Sequence, residues 1–216
     1  MIKIVILNLP MEKTDKRVEI LKAAELLFSE FGFEGTSTRQ IAKESGANIS
    51  MINYYFGSKE GVFLEIMESR ISGFKSHLDL INEEQIPAKE KLLKVVEQYA
   101  TRIFSNIGFH KMMHRELSLT QRPEMFCQIK DAMASNRLVI EKIIEKGIAE
   151  GTFRQVDVRM SIASIMGTIT LIATSPSKVS DIENFDISDN EQAEPLQKRL
   201  VSHLQDLIIT HLTIQK

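Results

Sequence analysis

The sequence has one cysteine, no tryptophan and few aromatic residues. Cys127 is the single thiol among 216 residues, and only 6% of the side chains are aromatic. One thiol can form neither an intramolecular disulfide nor a zinc site of the C-x-x-C kind, which suits a reducing cytoplasm. The longest nearly apolar stretch, residues 162–173, has about half the ~20 residues that a membrane-spanning helix needs. We therefore predict a cytoplasmic protein without a membrane partner, and we expect no cofactor.

The chain also lacks an excess of charge of either sign. It has 27 Lys and Arg against 29 Asp and Glu, a formal net charge of −2, so bulk charge identifies no partner. Apolar residues make up 43% of the chain, enough for the core of one large or two small domains. Strand-like alternation is scarce after residue 11 and helical periodicity dominates, so we predict an all-α fold.

Residues 1–10, MIKIVILNLP, have a composition unlike the rest of the chain. They lack the basic start and the small-residue cleavage site of a secretory signal, so we assign them no targeting role. A second methionine, Met11, opens a polar and then helical segment, which suggests the hypothesis that translation begins there. The alternative is a frayed or strand-like arm. We leave residues 1–10 as an unassigned N-terminal arm.

Three helices follow, of which the second and third are short. The first has one apolar stripe and is predicted to end at Gly32. The members of that stripe are Ile20, Ala24, Leu27, Phe28 and Phe31. Thr36, Ser37 or Thr38 caps the second helix, Gly46 ends it, and Asn48 caps a third helix of about seven residues. A helix that short needs its neighbours to persist in water.

The remainder of the chain reads as longer helices. The predicted helical ranges are 59–80, 87–104, 111–119, 124–149, 158–174 and 195–213. Asp157 is the expected N-cap of the helix over 158–174. Residues 177–191 are rich in Asp and Glu, which indicates a solvated loop.

Two short helices joined by the turn over residues 44–48 match a helix-turn-helix, which places its second helix in the DNA major groove. The runs GTSTRQIA (35–42), GANISMINYYF (46–56) and SKEGVF (58–63) resemble the TetR family of one-component bacterial transcriptional regulators. The resemblance covers about 50 residues. It implies a helix-turn-helix DNA-binding domain over 11–58 and a larger helical ligand-binding and dimerisation domain over 59–216.

The resemblance also implies roles in binding double-stranded operator DNA. Thr38 and Lys59 would contact phosphate, Arg39 a base edge, and Tyr54 and Tyr55 the DNA backbone. The remaining predicted DNA-binding residues are the base-reading positions Ile49, Ser50 and Asn53, together with Asn48. Many family members have tyrosine-tyrosine-histidine-phenylalanine where this chain has NYYF (53–56), so the operator sequence does not transfer. Residues 11–60 carry seven basic and eight acidic side chains, so local placement of Lys13, Lys16 and Arg17 must compensate.

Helix-turn-helix proteins usually pair to engage two half-sites, and the last two helices form the interface in TetR-like proteins. The residues predicted for a homodimer interface are Ile162, Ile165, Ile169, Leu200, Leu204, Leu207 and Ile208. The alternative is that part of each stripe closes the core of the chain itself. A concentration of methionine and phenylalanine suggests a pocket for an apolar or amphipathic effector, or else plain core. Its members are Phe104, Phe109, Met112, Met113, Met125, Phe126, Met133 and Met166.

A rival interpretation comes from His110 and His114, which are spaced to share one helix face. With Glu116 and Cys127 they suggest a metal-binding helical bundle or an enzyme, although a pair of histidines without a third fixed ligand is a weak signal. No phosphate-binding glycine loop, G-x-S-x-G elbow or H-E-x-x-H helix supports catalysis. We therefore predict a ligand-responsive transcriptional repressor that is not an enzyme and holds no metal.

Overall fold

The computed structural model describes the backbone of residues 12–118, 123–181, 185–187 and 189–214, and side chains from residue 16 onward except 118–126. The arm over residues 1–10 and the start at Met11 lie outside the described residues. Within the described ranges every regular element is helical, and the one β-type pairing is an isolated bridge between Phe153 and Thr213. The predicted all-α fold is confirmed. No described helix combines the length and the hydropathy needed to cross a bilayer.

The first compact unit ends at Ile66. It contains α1 (Glu12–Gly35), α2 (Thr38–Glu44), α3 (Ile49–Phe56) and the beginning of α4 (Lys59–Glu83). The backbone of α1 is broken at Gly32 (φ 74°), where the sequence predicts its end, and a last turn continues to Gly35.

Three phenylalanines form the centre of this unit. The ring centroids of Phe28, Phe33 and Phe63 lie 5.1 to 5.5 Å apart, and all three side chains are buried. Each such pair contributes about 0.5–1.5 kcal/mol beyond the area that it buries. Phe31, predicted on the apolar stripe, is 45% exposed instead. The break at Gly32 redirects the chain so that Phe33, rather than Phe31, packs against Phe28.

Polar caps define the two short helices. The Ser37 hydroxyl accepts a hydrogen bond from the Gln40 backbone N–H, and the Gln40 side chain accepts one from the Ser37 N–H, which is a complete capping box. The Asn48 side chain accepts from the Met51 N–H at 2.8 Å. Both predicted caps are confirmed. Gly46 has φ 60° in the turn between α2 and α3, a conformation that other L-residues rarely adopt.

The second compact unit begins at Met67, within α4. Its further elements are α5 (Ala88–Ser105), α6 (Ile107–Ser118), α7 (Pro123–Ala149), α8 (Val158–Thr174), a 3-10 turn (Pro176–Lys178) and α9 (Asn190–Leu212). Helix α5 packs against α7, α8 and α9 and is the central element of this unit's core. Its fully buried side chains are Leu92, Val95, Val96, Ala100 and Ile103.

The starts of three helices in this unit can be compared with the predicted starts. Helix α6 begins at Ile107, four residues before the predicted start at residue 111. Helix α9 begins at Asn190, five residues before the predicted start at Pro195, because the Asp189 side chain caps it by accepting from the Glu191 N–H. The Asp157 side chain accepts from the Met160 N–H, which confirms the predicted cap of α8.

Candidate nucleic-acid interface and ligand cavity

Helix α3 exposes four of its eight side chains to solvent. Ile52 is its one fully buried residue and anchors the helix, whereas Ile49 and Tyr54 are 39% and 76% exposed. Ser50 and Asn53 are exposed as well. An eight-residue helix gains little stability by itself, so exposing apolar and aromatic groups on it indicates a contact surface rather than a packing role.

Two tyrosines on α3 have different environments. Tyr54 projects into solvent, while the half-buried Tyr55 ring lies 5.2 Å from the Tyr54 ring and 6.0 Å from that of Phe56. The Tyr55 ring therefore packs edge to face against the Tyr54 ring. A hydroxyl at the end of a rigid aromatic side chain can donate to a DNA phosphate.

The start of α2 lies beside α3, with which it packs. Thr38 is half-buried in the first turn of α2, and Arg39 is exposed without an ion pair to another described residue. Helix N-termini favour anions, and a free guanidinium can reach a guanine edge. Asn48, by contrast, uses its side-chain oxygen to cap α3.

Lys59, at the start of α4, makes contacts within the protein that the resemblance does not imply. Its ammonium donates to the carbonyls of Phe33 at 2.8 Å and Thr36 at 2.9 Å, and lies 4.2 Å from the centre of the Phe33 ring. These contacts hold the end of α1 against the start of α4. These hydrogen bonds give Lys59 a structural role and use two of its three N–H donors, so its phosphate contact stays a prediction.

Two of the basic residues expected to supply local charge are also engaged within the first unit. Lys16 contacts Glu19 at 2.5 Å and the Ser45 carbonyl at 3.2 Å. Arg17 pairs with Glu65 at 2.6 Å and lies over the Phe56 ring. The third expected basic residue, Lys13, has a side chain outside the described residues. Arg39 and the exposed Lys43 are left as the free cations nearest α3 in the described part of the unit.

A cavity of about 330 Å³ lies in the second unit, between α4, α5, α6, α7 and α8. Most of its wall is apolar or aromatic, formed mainly by Phe74, Tyr99, Met133, Ile140, Ile162 and Met166. Its polar lining comes from Lys130, Asn136 and Arg137 on α7. This size and composition are typical of small-molecule sites.

Of the residues predicted for an effector pocket, Met133 and Met166 line this cavity. Phe109, Met112 and Met113 do not, because α6 buries them on its packed face, and Phe104 is packed against the main core. The side chains of Met125 and Phe126 lie outside the described residues. Sequence reasoning missed Lys130, Ala134 and Arg137, the other cavity residues on the α7 face of Met133, although offsets of three, four and seven residues from Lys130 could have indicated that face.

Two polar groups at the cavity have constrained positions. Asn136 donates its amide to the Ile71 carbonyl at 3.1 Å, while its buried side-chain oxygen has no hydrogen-bond partner among the described residues. The Tyr99 hydroxyl lies 3.4 Å from the Thr170 hydroxyl, and burial raises the pKa of Tyr99. Both groups can hydrogen-bond a bound molecule.

The histidine pair does not form a metal site with its suggested partners. His110 is 6% exposed, and burial, followed by the charges of Arg102, His114 and Arg70, lowers its pKa to about 4. His114 is exposed, and Cys127 is exposed on another helix. No group of three His, Cys, Asp or Glu side chains in the described ranges could hold a metal ion. The interpretation as a metal-binding bundle or enzyme is not favoured.

The residues predicted for a dimer interface divide into two groups. Leu207 is exposed. The others, Ile162, Ile165, Ile169, Leu200, Leu204 and Ile208, are buried in the core of the single chain. For these six the alternative holds, because α8 and α9 use them to pack on α5. The apolar side chains that these helices leave exposed include Met160 (64%), Leu171 (50%) and Leu207 (37%).

Both units of the chain match families of known proteins. Residues 20–66 match the family model described as bacterial regulatory proteins, tetR family, and residues 85–174 match that of the tetracyclin repressor-like C-terminal domain. The chain is 33% identical over 162 residues to the HTH-type transcriptional repressor NicS of Pseudomonas putida, covering 69% of this chain and 71% of NicS. It is 24% identical to the fatty acid metabolism regulator protein of Bacillus subtilis, covering 76% and 84% of the two chains.

Solved structures show the same fold. FadR of Bacillus subtilis in complex with stearoyl-CoA has a TM-score of 0.68 at 22% identity, covering 86% of this chain and 97% of FadR. PfmR of Thermus thermophilus has a TM-score of 0.70 at 23% identity, covering 90% and 99%. The exposed helix-turn-helix, the two family matches and the NicS relationship agree. The chain belongs to the TetR family of bacterial regulatory proteins and is a DNA-binding transcriptional regulator.

Proposed function

We propose that this regulator is a homodimeric repressor that binds operator DNA through α2 and α3 of each subunit. A small molecule bound in the second unit releases it from the DNA. The observation that carries the proposal is the solvent exposure of Tyr54 and its neighbours on a helix held by one buried anchor. The repressor role is supported by the name of NicS. A regulator of this kind acts where bacterial DNA is, in the cytoplasm.

The DNA-contacting set that we propose is smaller than the one implied by the resemblance. Arg39 and Asn53 carry hydrogen-bonding groups suited to guanine and adenine edges, and Ile49 can pack on a thymine methyl. Ser50 can reach a base edge, whereas Thr38 and Tyr54 are suited to phosphate, with Tyr55 behind Tyr54. Asn48 caps α3 and Lys59 binds two backbone carbonyls, so we leave both out of the set. The functional division into 11–58 for DNA binding and 59–216 for ligand binding and dimerisation is part of the proposal.

The proposed dimer surface is the exposed face shared by α8 and α9. Met160 and Leu171 lie eleven residues apart, so both fall on one face of α8 with Ser164 and Gly167 between them. Small residues let a second helix approach closely. Met160, Ser164 and Leu207 line one groove between α8 and α9, which a second copy of the chain would fill.

Release requires the effector to bind better to the state that does not fit DNA. The cavity of the second unit supplies the site, and it touches α4 at Phe74. FadR of Bacillus subtilis was solved with stearoyl-CoA, which supports a ligand with an apolar part for this related chain. The effect of such a ligand on DNA affinity is reciprocal, so operator DNA weakens ligand binding by the same factor.

The test is binding of the full chain to DNA from upstream of its own coding region, across a salt series. We expect specific binding that weakens with salt, and a loss of about tenfold or more in affinity for Tyr54→Ala, in line with ~1–3 kcal/mol for an interface contact. Phe31→Ala removes an aromatic ring that is also exposed, on α1, and is the matched control. Equal affinity of both variants and the wild type would contradict the proposed interface.

A further inference from the structure

One face of α7 carries two cations at either end of an apolar patch. Lys130, Met133, Ala134 and Arg137 are separated by three, four and seven residues and all line the cavity of the second unit. At 1.5 Å rise per residue, Lys130 and Arg137 lie about 10 Å apart along the helix axis. The cavity floor is therefore apolar in the middle and positively charged at both ends.

Among the described residues, neither charge is fully neutralised. Arg137 contacts Glu141 through Nε at 3.2 Å, but the same carboxylate oxygen also accepts from Arg159 at 3.1 Å. Two guanidinium groups thus share one carboxylate. Lys130 is exposed and forms no ion pair with another described residue, and no acidic side chain of the described chain lines the cavity. A net positive potential remains at the cavity.

The opposite wall suits an apolar body. Phe74 and Tyr99 stand with ring centroids 5.2 Å apart, and Ile162 and Met166 complete the wall from α8. The cavity volume of about 330 Å³ is at the lower end of the roughly 300–1,000 Å³ of small-molecule sites. The space inside therefore matches a compact group rather than a long chain.

We propose that this cavity binds an organic anion with a compact apolar body, whose negative group is held at one end of the α7 face by Lys130 or Arg137. The inference rests on the proposed function, in which this cavity is the effector site. A free carboxylic acid and a coenzyme A thioester share this chemistry. In the acid the charge is the carboxylate, and in the thioester it is the phosphates beyond the cavity mouth.

The experiment measures binding of octanoate, octanoyl-CoA and 1-octanol to the full chain by titration calorimetry. We expect an anionic probe to bind at least about tenfold more tightly than 1-octanol, and Lys130→Gln or Arg137→Gln to remove most of that difference, since hydrogen bonds to charged groups are the stronger ones. Lys142→Gln removes an exposed charge from α7 outside the cavity and is the matched control. Met166→Trp, checked for folding by its melting curve, should block every probe by filling the cavity.

The outcomes separate this inference from the proposed function. Preference for octanoate identifies a free acid, and preference for octanoyl-CoA identifies a thioester, provided that Lys130→Gln abolishes the preference. Binding of 1-octanol that is as tight as that of both anionic probes, or charge variants that bind like Lys142→Gln, would overturn the anion assignment. Met166→Trp would still test whether the probes enter the cavity. No binding of any probe also overturns it. DNA binding measured without a ligand decides the regulator function independently.

Discussion

Lys59 offers the sharpest test of the local architecture, since replacing it by methionine keeps the aliphatic stem and removes the ammonium. The wild-type ammonium donates to the carbonyls of Phe33 and Thr36 and lies over the Phe33 ring. Lys59→Met therefore removes two charge-assisted hydrogen bonds and one cation–π contact. The two carbonyls belong to the end of α1 and the turn that follows it, which lose their side-chain partner.

The magnitude follows from these contacts. A hydrogen bond to a charged group contributes about 1.5–3 kcal/mol, and a cation–π contact at a partly exposed site ~0.5–1 kcal/mol. Lys59 is half-buried, so water can reach part of the site after the substitution and the loss falls below the sum. We expect Lys59→Met to lower the free energy of unfolding of the first unit by about 2–3 kcal/mol.

The assay pairs denaturant unfolding with DNA affinity across a salt series. Lys43→Met, which removes an exposed lysine of α2, is the control and should change the unfolding free energy by less than ~0.5 kcal/mol. The salt slope of DNA binding should stay that of the wild type in folded Lys59→Met, since a lost phosphate contact would reduce it by about 0.9. A reduced slope with unchanged stability would refute the structural role.

Three further predictions concern other sites. Gly61→Ala should strongly destabilise the first unit and weaken DNA binding, because an added Cβ would lie 1.9 Å from the Phe56 carbonyl oxygen. Gly57→Ala, where the space around the added Cβ is open, should lower the free energy of unfolding by only about 1 kcal/mol, measured by thermal unfolding. Asn48→Ala should cost about 1 kcal/mol through its lost cap, and Asn48→Ser should recover most of it. His110 takes up a proton near pH 6.5 when unfolded but only near pH 4 when folded, so stability falls as pH drops between these values. From pH 7.5 to 5 its contribution to the unfolding free energy should fall by about 2 kcal/mol, and a pH dependence unchanged in His110→Gln would contradict this assignment.

Much of the local architecture of the first unit could be predicted from the sequence. Ser37 and Asn48 have the side chains and positions of N-caps, and Gly46 supplies a left-handed turn, so these short-range signals act within a few residues. Ile52 was predictable as the inward anchor of α3 from its neighbours in the helix. Such features depend on the chain within one or two helical turns.

Other features depend on residues far apart in sequence and could not be predicted in this way. The carbonyls bound by Lys59 lie 26 and 23 residues earlier, and only the packed fold shows that they are within reach. The cavity is lined by residues from five helices, α4 to α8, so no single sequence pattern contains it. The stripes of α8 and α9 are apolar on more than one side, and the sequence does not say which side faces α5.

The division of α8 and α9 into a buried and an exposed side has a consequence for how the cell would set operator occupancy. With six of the predicted interface residues committed to its own core, each subunit holds a packed core before it meets a partner. In the proposed dimer, pairing on the remaining exposed side is then a separate equilibrium that depends on concentration. Below the dissociation constant of the dimer, the amount of paired protein rises with the square of the subunit concentration, so modest changes in expression give steep changes in repression.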